Sequence, residues 1–107
     1  MKTIQGKFSR ADGTPAVNGV LSFLLSQDAV NPSVGFVEHT LLQITLDNTG
    51  AIPAGTQIFA NDELLPATTW YHLTLNDGEN GIVYDEHIFI TGDSPINLNL
   101  IPPTVRL

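Results

Sequence analysis

Short runs of β-branched, aromatic and other apolar residues alternate with clusters of Gly, Pro, Asp and Asn along the whole chain. Apolar residues at the helical spacing i, i+3, i+4, i+7 are not sustained over any window of about a dozen residues. Short runs of this composition, bounded by turn-forming residues, are typical of strands. The sequence therefore predicts an all-β fold.

The turn clusters divide the chain into successive strands. Asp12-Gly13 followed by Pro15 is a turn signal, because Gly tolerates a positive φ and Pro presets its own φ. The sequence predicts seven strands, at residues 2–8, 17–26, 36–46, 56–60, 69–76, 82–91 and 96–101. Short strands separated by such turns predict an antiparallel β-sandwich.

The connections between these strands also have predicted roles. Residues 27–35 are predicted to form a loop that crosses between sheets, and residues 77–81 a hairpin loop. Pro53 predicts that the strand at 56–60 lies at a sheet edge, since Pro cannot donate to a strand ladder.

The length and apolar content suit one domain. The chain has 107 residues, of which 42% are hydrophobic, enough for one core. We predict a single sandwich domain over residues 1–107, with the core within 2–101 and an extended tail at 102–107.

The charge balance excludes several classes of partner. Four Lys and Arg stand against eleven Asp and Glu, for a net charge of −7. Nucleic-acid binding depends on neutralising phosphates with basic side chains, and anionic membranes attract the same side chains. We therefore expect neither a nucleic-acid nor a membrane partner.

The sequence also gives an expectation about location. The opening segment, MKTIQGKFSR, lacks the apolar run of a signal peptide, and no stretch approaches the roughly 20 apolar residues of a membrane helix. We expect a soluble protein made in the cytoplasm. The chain has no Cys, so disulfide and thiolate chemistry are excluded.

Several segments resemble known sandwich families. DGTPAVNGVLSF at 12–23 resembles the first hairpin of carboxypeptidase-regulatory-like, transthyretin-type domains, and LDNTGAI at 46–52 is similar to their later Asp-x-x-Gly turn. LLPATTWYHLTL at 64–75 resembles the fibronectin type III segment in which Leu and Pro precede Thr, an aromatic residue and alternating apolar residues. Here Thr69-Trp70-Tyr71 holds one residue more than that pattern, which predicts a β-bulge at the start of the strand.

A further resemblance concerns the second half of the chain. PATTWYHLTL, NDGENG and ITGDSPINLNL together resemble small domains of bacteriophage tail and virion proteins. These resemblances imply an immunoglobulin-like or prealbumin-like sandwich used for assembly, capsid decoration or adhesion. They imply no catalytic residue, because those families place none in this domain. The expected partners are other protein subunits, either copies of this chain or virion proteins.

The three histidines are the candidate metal ligands. If the strands at 69–76 and 82–91 pair, His72 faces residue 86 or 87, so that two imidazoles come close and Asp85 or Glu86 could join them. A zinc site needs three or four ligands in tight geometry. Neither H-x-H nor HExxH occurs, and alternation places His72 on the solvent face of its strand. We predict no metal and no cofactor.

Other catalytic constellations are also missing from the sequence. Asp62-Glu63 and Asp85-Glu86 are adjacent pairs, and neighbours in a strand point to opposite faces, so surface charge is the favoured interpretation over a glycosidase pair. DNTG and NDGENG do not match a calcium loop, and no Ser lies in a G-x-S-x-G context. We predict that the protein is not an enzyme. The alternative, a small transthyretin-like enzyme or accessory domain, requires His39, His72 and His87 to converge on one polar pocket.

Trp70 is the candidate partner contact. Tyr71 shares its strand face with Leu73 and Leu75 and is predicted to be in the core, which leaves Trp70 on the outer face. An exposed Trp can anchor a protein partner or stack on a sugar ring. A Trp that caps the core is the competing interpretation. The leading function is a non-catalytic structural or interaction module, and the alternative is a carbohydrate-binding module for surface glycans that uses Trp70.

Overall fold

The computed structural model describes residues 1–77 and 81–101 of the chain. That part contains nine strands: β1 Lys2–Gln5, β2 Val20–Leu25, β3 Ala29–Asn31, β4 Gly35–Val37, β5 Leu41–Thr45, β6 Gln57–Ile58, β7 Tyr71–Asn76, β8 Ile82–Ile88 and β9 Ile96–Asn97. Two 3₁₀ turns, Asn61–Glu63 and Leu98–Leu100, are its helical elements. The predicted all-β fold is confirmed.

The strands form two main sheets and a small ribbon. β5, β2, β7 and β8 make a four-stranded antiparallel sheet in that order. The order in the second sheet is β6, β1, β9, where β6 pairs antiparallel and β9 parallel to β1. β3 and β4 form a separate antiparallel hairpin. One hydrophobic core draws on the inner faces of both main sheets, which makes the fold a β-sandwich.

The inner face of the four-stranded sheet follows from simple alternation. Every second residue of β2 and β7 is buried, and these residues are Leu21, Phe23, Leu25, Tyr71, Leu73 and Leu75. Burying a large apolar side chain stabilises the fold by about 1.5–3 kcal/mol. The Phe23 and Tyr71 rings meet edge to face with centroids 6.1 Å apart, and the Tyr71 hydroxyl donates to the Phe59 carbonyl at 2.6 Å. Burial raises the pKa of Tyr71 far above its usual value, so the phenol stays a neutral donor.

The strand count differs from the seven predicted because two segments behave differently. Residues 27–35 do not form an open loop but contain β3 and the turn that leads to β4. The Asn31 carboxamide oxygen accepts from the backbone N–H groups of Ser33 and Val34, which closes that turn. The predicted strand at 36–46 is divided into β4 and β5, and the Asp28 carboxylate accepts from the His39 backbone N–H in the break.

The predicted strand at 96–101 and the predicted position of the β-bulge are wrong. The alternation at 96–101 predicted a full strand, but Asn97 caps a 3₁₀ turn by accepting from the Asn99 backbone N–H, and Leu100 is 79% exposed. The β2–β7 pairing is regular from Leu25–Tyr71 onward, so the bulge is not at the start of β7. A register shift lies instead between Leu75 and Asn76.

Of the remaining predictions on strand connections, one is confirmed and two concern residues that lie largely or wholly outside the described part of the chain. The edge position predicted from Pro53 is confirmed, because in the described part of the chain β6 pairs with β1 alone. The hairpin loop at 77–81 and the extended tail at 102–107 lie largely or wholly outside the described residues. Within residues 1–77 and 81–101, no helix combines the length and the apolar character needed to traverse a lipid bilayer.

Candidate functional site

The outer face of the four-stranded sheet carries one row of side chains that crosses all four strands. The register places Leu41 of β5 beside Leu24 of β2, Leu24 beside His72 of β7, and His72 beside His87 of β8. All four belong to the face opposite the core, because they alternate with the buried residues of β2 and β7. The row is uncharged when the imidazoles are neutral, on a chain whose net charge is −7.

Trp70 lies beside this row, two residues before His72 and one residue before β7 begins. The Ser26 backbone N–H donates to the Trp70 carbonyl at 2.8 Å, and the Trp70 backbone N–H donates to the Ser26 hydroxyl oxygen at 3.1 Å. The indole is half-buried, whereas Tyr71 is buried. The predicted core position of Tyr71 is therefore confirmed, and Ser26 holds both backbone groups of Trp70.

A chain of ring contacts orients the Trp70 side chain. Its indole meets the His87 imidazole edge to face, with centroids 4.6 Å apart and an interplanar angle of 81°. His87 in turn stacks on His72 with centroids 4.7 Å apart and an angle of 17°. The His72 Nε2–H donates to the Asp85 carboxylate at 2.5 Å. The order Asp85, His72, His87, Trp70 thus links a carboxylate on β8 to the indole.

These residues border an open depression of about 470 Å³. We call it the Trp70 depression, and it is lined by Leu24, Leu25, Ser26, His39, Trp70, His72, Asp85 and His87. His39 reaches it from the segment between β4 and β5, where its Nδ1–H donates to the Asp28 carboxylate. That contact, together with the His39 backbone N–H, lowers the pKa of Asp28 below its usual value.

The three histidines predicted as metal candidates share this depression but do not form a ligand set. The predicted closeness of His72 to the facing strand is confirmed, since His87 is its direct neighbour. Their rings stack face to face, and His39 is engaged with Asp28. In the part of the chain that the structure describes, no group of three or more His, Asp or Glu residues is placed to hold a metal ion.

The carboxylates of the Asp62-Glu63 pair have structural roles. Asp62 accepts from the Lys2 ammonium at 3.0 Å and from the Gly92 backbone N–H at 3.1 Å, while Glu63 accepts from the Ala60 backbone N–H at 2.9 Å. Partial burial acts to raise the pKa of Asp62, but the hydrogen bonds from Gly92 and Lys2 together outweigh it and lower that pKa. These contacts stabilise the 3₁₀ turn and its neighbours, and they leave the two carboxylates committed to separate partners.

The Asp47 turn is likewise explained without an ion. The Asp47 carboxylate accepts from the Thr49 hydroxyl at 2.7 Å, the Thr49 backbone N–H at 2.8 Å and the Ala51 backbone N–H at 3.1 Å. These hydrogen bonds, the one from the hydroxyl first, lower the pKa of Asp47. The same arrangement recurs at Asp12, which accepts from the backbone N–H and hydroxyl of Thr14.

No protein-family model matches the chain. No curated protein matches it significantly either.

Ser26 is the residue of this site that the sequence did not reveal. It holds both backbone groups of Trp70 from 44 positions away. Nothing in the local pattern distinguishes Ser26 from the other serines, because its role depends on the pairing of β2 with β7.

Proposed function

We propose that the chain is a non-catalytic interaction module that binds a protein partner through the Trp70 depression. The observation that carries this proposal is the fixed Trp70 side chain, held by Ser26 through its backbone and by His87 through its ring. Trp is the residue type most enriched at binding hot spots, and a preorganised side chain loses little conformational entropy on binding.

The surroundings of Trp70 support an anchoring role. Leu24 and the two stacked imidazoles extend the apolar and aromatic surface along the sheet. Asp85 and Ser26 add polar groups at its border. A central aromatic group with an apolar surround and a polar border is the usual anatomy of a protein interface.

The similarity of the strand and turn segments to small domains of bacteriophage tail and virion proteins extends the proposal. In this view the domain has an immunoglobulin-like or prealbumin-like role in a virus particle, as a tail, fibre or decoration subunit. The position of its gene tests this part of the proposal. Neighbouring genes for tail, capsid or baseplate proteins would support it. A neighbourhood of metabolic genes would contradict it.

The direct test is affinity purification from the native source with three forms of the chain. The wild type is compared with Trp70→Ala and with Phe36→Ala, which removes an aromatic side chain that is 89% exposed on the β3–β4 hairpin. We expect a defined partner that Trp70→Ala loses and Phe36→Ala retains. Loss with Phe36→Ala alone, or retention by both variants, would refute the assignment of the contact to Trp70.

Glycan binding is a second candidate for the same depression. The observation that favours it is the combination of a half-exposed indole with the Asp85 carboxylate and the Ser26 hydroxyl around an open volume of about 470 Å³. Sugar rings stack on aromatic faces while their hydroxyls bond to such polar groups. A glycan array with wild type and Trp70→Ala tests this candidate: binding that depends on Trp70 supports it, and binding that is absent or unchanged by the substitution excludes it.

A further inference from the structure

The ends of the sheets differ in how they are protected against pairing with another chain. An exposed edge strand presents unpaired backbone groups, and natural proteins blunt such edges with charges, Pro, bulges or very short strands. β8, one edge of the four-stranded sheet, carries Asp85 and Glu86 and lies at the register shift near Asn76. The two edges of the other sheet, β6 and β9, are two residues long.

Among the strands of residues 1–77 and 81–101, β5 is the edge that has none of these protections. Its sequence, LLQIT, holds no charge, Pro or Gly over five residues, and its pairing with β2 is regular throughout. Four of the five residues are exposed, with Leu41 56% and Leu42 40% accessible. An uncharged, regular edge with apolar side chains on both of its faces is a template for an added strand.

We infer that β5 pairs antiparallel with β5 of a second copy of this chain, across a two-fold axis at Gln43. In this register all five residues find partners: Gln43 faces Gln43, Leu42 faces Ile44, and Leu41 faces Thr45. Facing residues of an antiparallel pair lie on the same face of the sheet. The two copies would therefore form one eight-stranded sheet with both cores on the same side.

The side-chain pattern makes the strand complementary to itself. Leu42 and Ile44 belong to the inner face, opposite Phe23 and Leu21 of β2. Pairing would bring Leu42 and Ile44 of each copy against Ile44 and Leu42 of the other, which covers apolar surface at the open end of the core. On the outer face the two Gln43 amides can donate to and accept from each other, which no single-charge residue at this position would allow.

A strand from an unrelated partner would need to reproduce the central pairing of Leu42 with Ile44. The inference does not depend on the function proposed above, since it uses the sheet edge and not the Trp70 depression.

Cysteine cross-linking tests the register directly, because the chain has no native Cys. Gln43→Cys should form a disulfide-linked dimer under mild oxidation, since residues directly opposite in an antiparallel pair have Cβ atoms about 4.5–5.5 Å apart. Thr45→Cys is the matched control on the same exposed face. Its two copies would be offset by about 13 Å along the strands, so it should cross-link at least about tenfold more slowly.

Self-association of the full chain without cross-linking is measured by sedimentation equilibrium. Pairing of two short strands buries a small area, so we expect a weak dimer of twice the 11.5 kDa chain mass, with a dissociation constant of roughly 10 μM to 1 mM. Gln43→Lys, which sets two ammonium groups against each other, should weaken it about tenfold or more. Gln5→Lys makes the same charge change on an exposed position of β1 and should not.

Three results would overturn the inference. The first is equal cross-linking by Gln43→Cys and Thr45→Cys. The second is a full chain that remains monomeric at millimolar concentration, and the third is a dimer that Gln43→Lys leaves intact. If the full chain stays monomeric, dimerisation of a variant ending at Ile101 would assign the edge to the tail at 102–107 in place of a second copy.

Discussion

His72 and His87 face each other across β7 and β8, and their imidazole rings stack at 4.7 Å with an interplanar angle of 17°. The stack has a distinct neighbour at each end, the Asp85 carboxylate at His72 and the Trp70 indole at His87. The position of the indole therefore depends on residues of two strands and not on its own segment alone.

Removal of the His87 ring should change the environment of Trp70. We expect His87→Ala to reduce the free energy of unfolding by about 1 kcal/mol, because it removes aromatic contacts of that size, and to shift the Trp emission to longer wavelength as water reaches the indole. The chain has one Trp, so its fluorescence reports on this site alone. His39→Ala, which removes an imidazole from the same depression without a ring contact to Trp70, is the control. An identical emission shift in both variants would contradict the role assigned to His87.

Asn61 should be the buried polar residue whose replacement lowers the free energy of unfolding most. It is fully buried, its carboxamide oxygen accepts from the Ile90 backbone N–H at 2.8 Å, and its carboxamide N–H donates to the Thr69 hydroxyl at 3.2 Å. Asn61→Ala leaves both partners buried without a hydrogen bond, so we expect a loss of about 2–4 kcal/mol in urea denaturation. Asn48→Ala, at an exposed turn position, should stay within about 0.5 kcal/mol of wild type. A small effect at Asn61 would show that these hydrogen bonds are replaced by water.

Alanine substitutions at Gly50 and Gly55 distinguish the stability cost of backbone strain from the cost of a steric clash. Both have positive φ, +76° and +83°, but a Cβ at Gly50 would lie 2.4 Å from the Phe8 carbonyl oxygen, whereas a Cβ at Gly55 meets nothing within 4 Å. Gly55→Ala should cost about 1–2 kcal/mol from conformation alone. We expect Gly50→Ala to cost about 3 kcal/mol or more, because the Phe8 backbone must move. Thermal denaturation compares the two, and equal losses would contradict the predicted clash.

The Asp47 turn should contribute stability in a defined pH range. The hydrogen bonds from Thr49 and Ala51 hold the folded-state pKa of Asp47 below the ordinary value of 3.8. Its contribution is therefore complete above that value and is lost as the pH falls through the folded-state pKa. Asp47→Ala should be less stable than wild type at about pH 6, and the difference should shrink at about pH 2. Denaturation at both pH values measures it, with Asp93→Ala as an exposed control. A difference that grows at low pH would reverse the sign and refute the argument.

Alternation predicted the core face of β7 well. Successive side chains of this strand face the core and the solvent in turn, so Tyr71, Leu73 and Leu75 could be assigned to the core from their order alone. The same reasoning failed for Leu100, because the Asn97 side chain captures a backbone N–H and starts a 3₁₀ turn before the strand can continue. Local hydrogen bonds from Asn and Asp competed with the strand ladder at this point.

The sequence by itself determined the all-β class and the core face of β7, because each depends on the period-two geometry of a strand. Only the tertiary structure decided that Ser26 hydrogen-bonds to the Trp70 backbone. It also decided that His72 stacks on His87 and donates a hydrogen bond to Asp85. The edge position of β5 in its sheet was also decided there, since strand order within a sheet leaves no trace in the local pattern. These relationships join residues distant in the chain, and their partners are chosen by the packing of the whole sandwich.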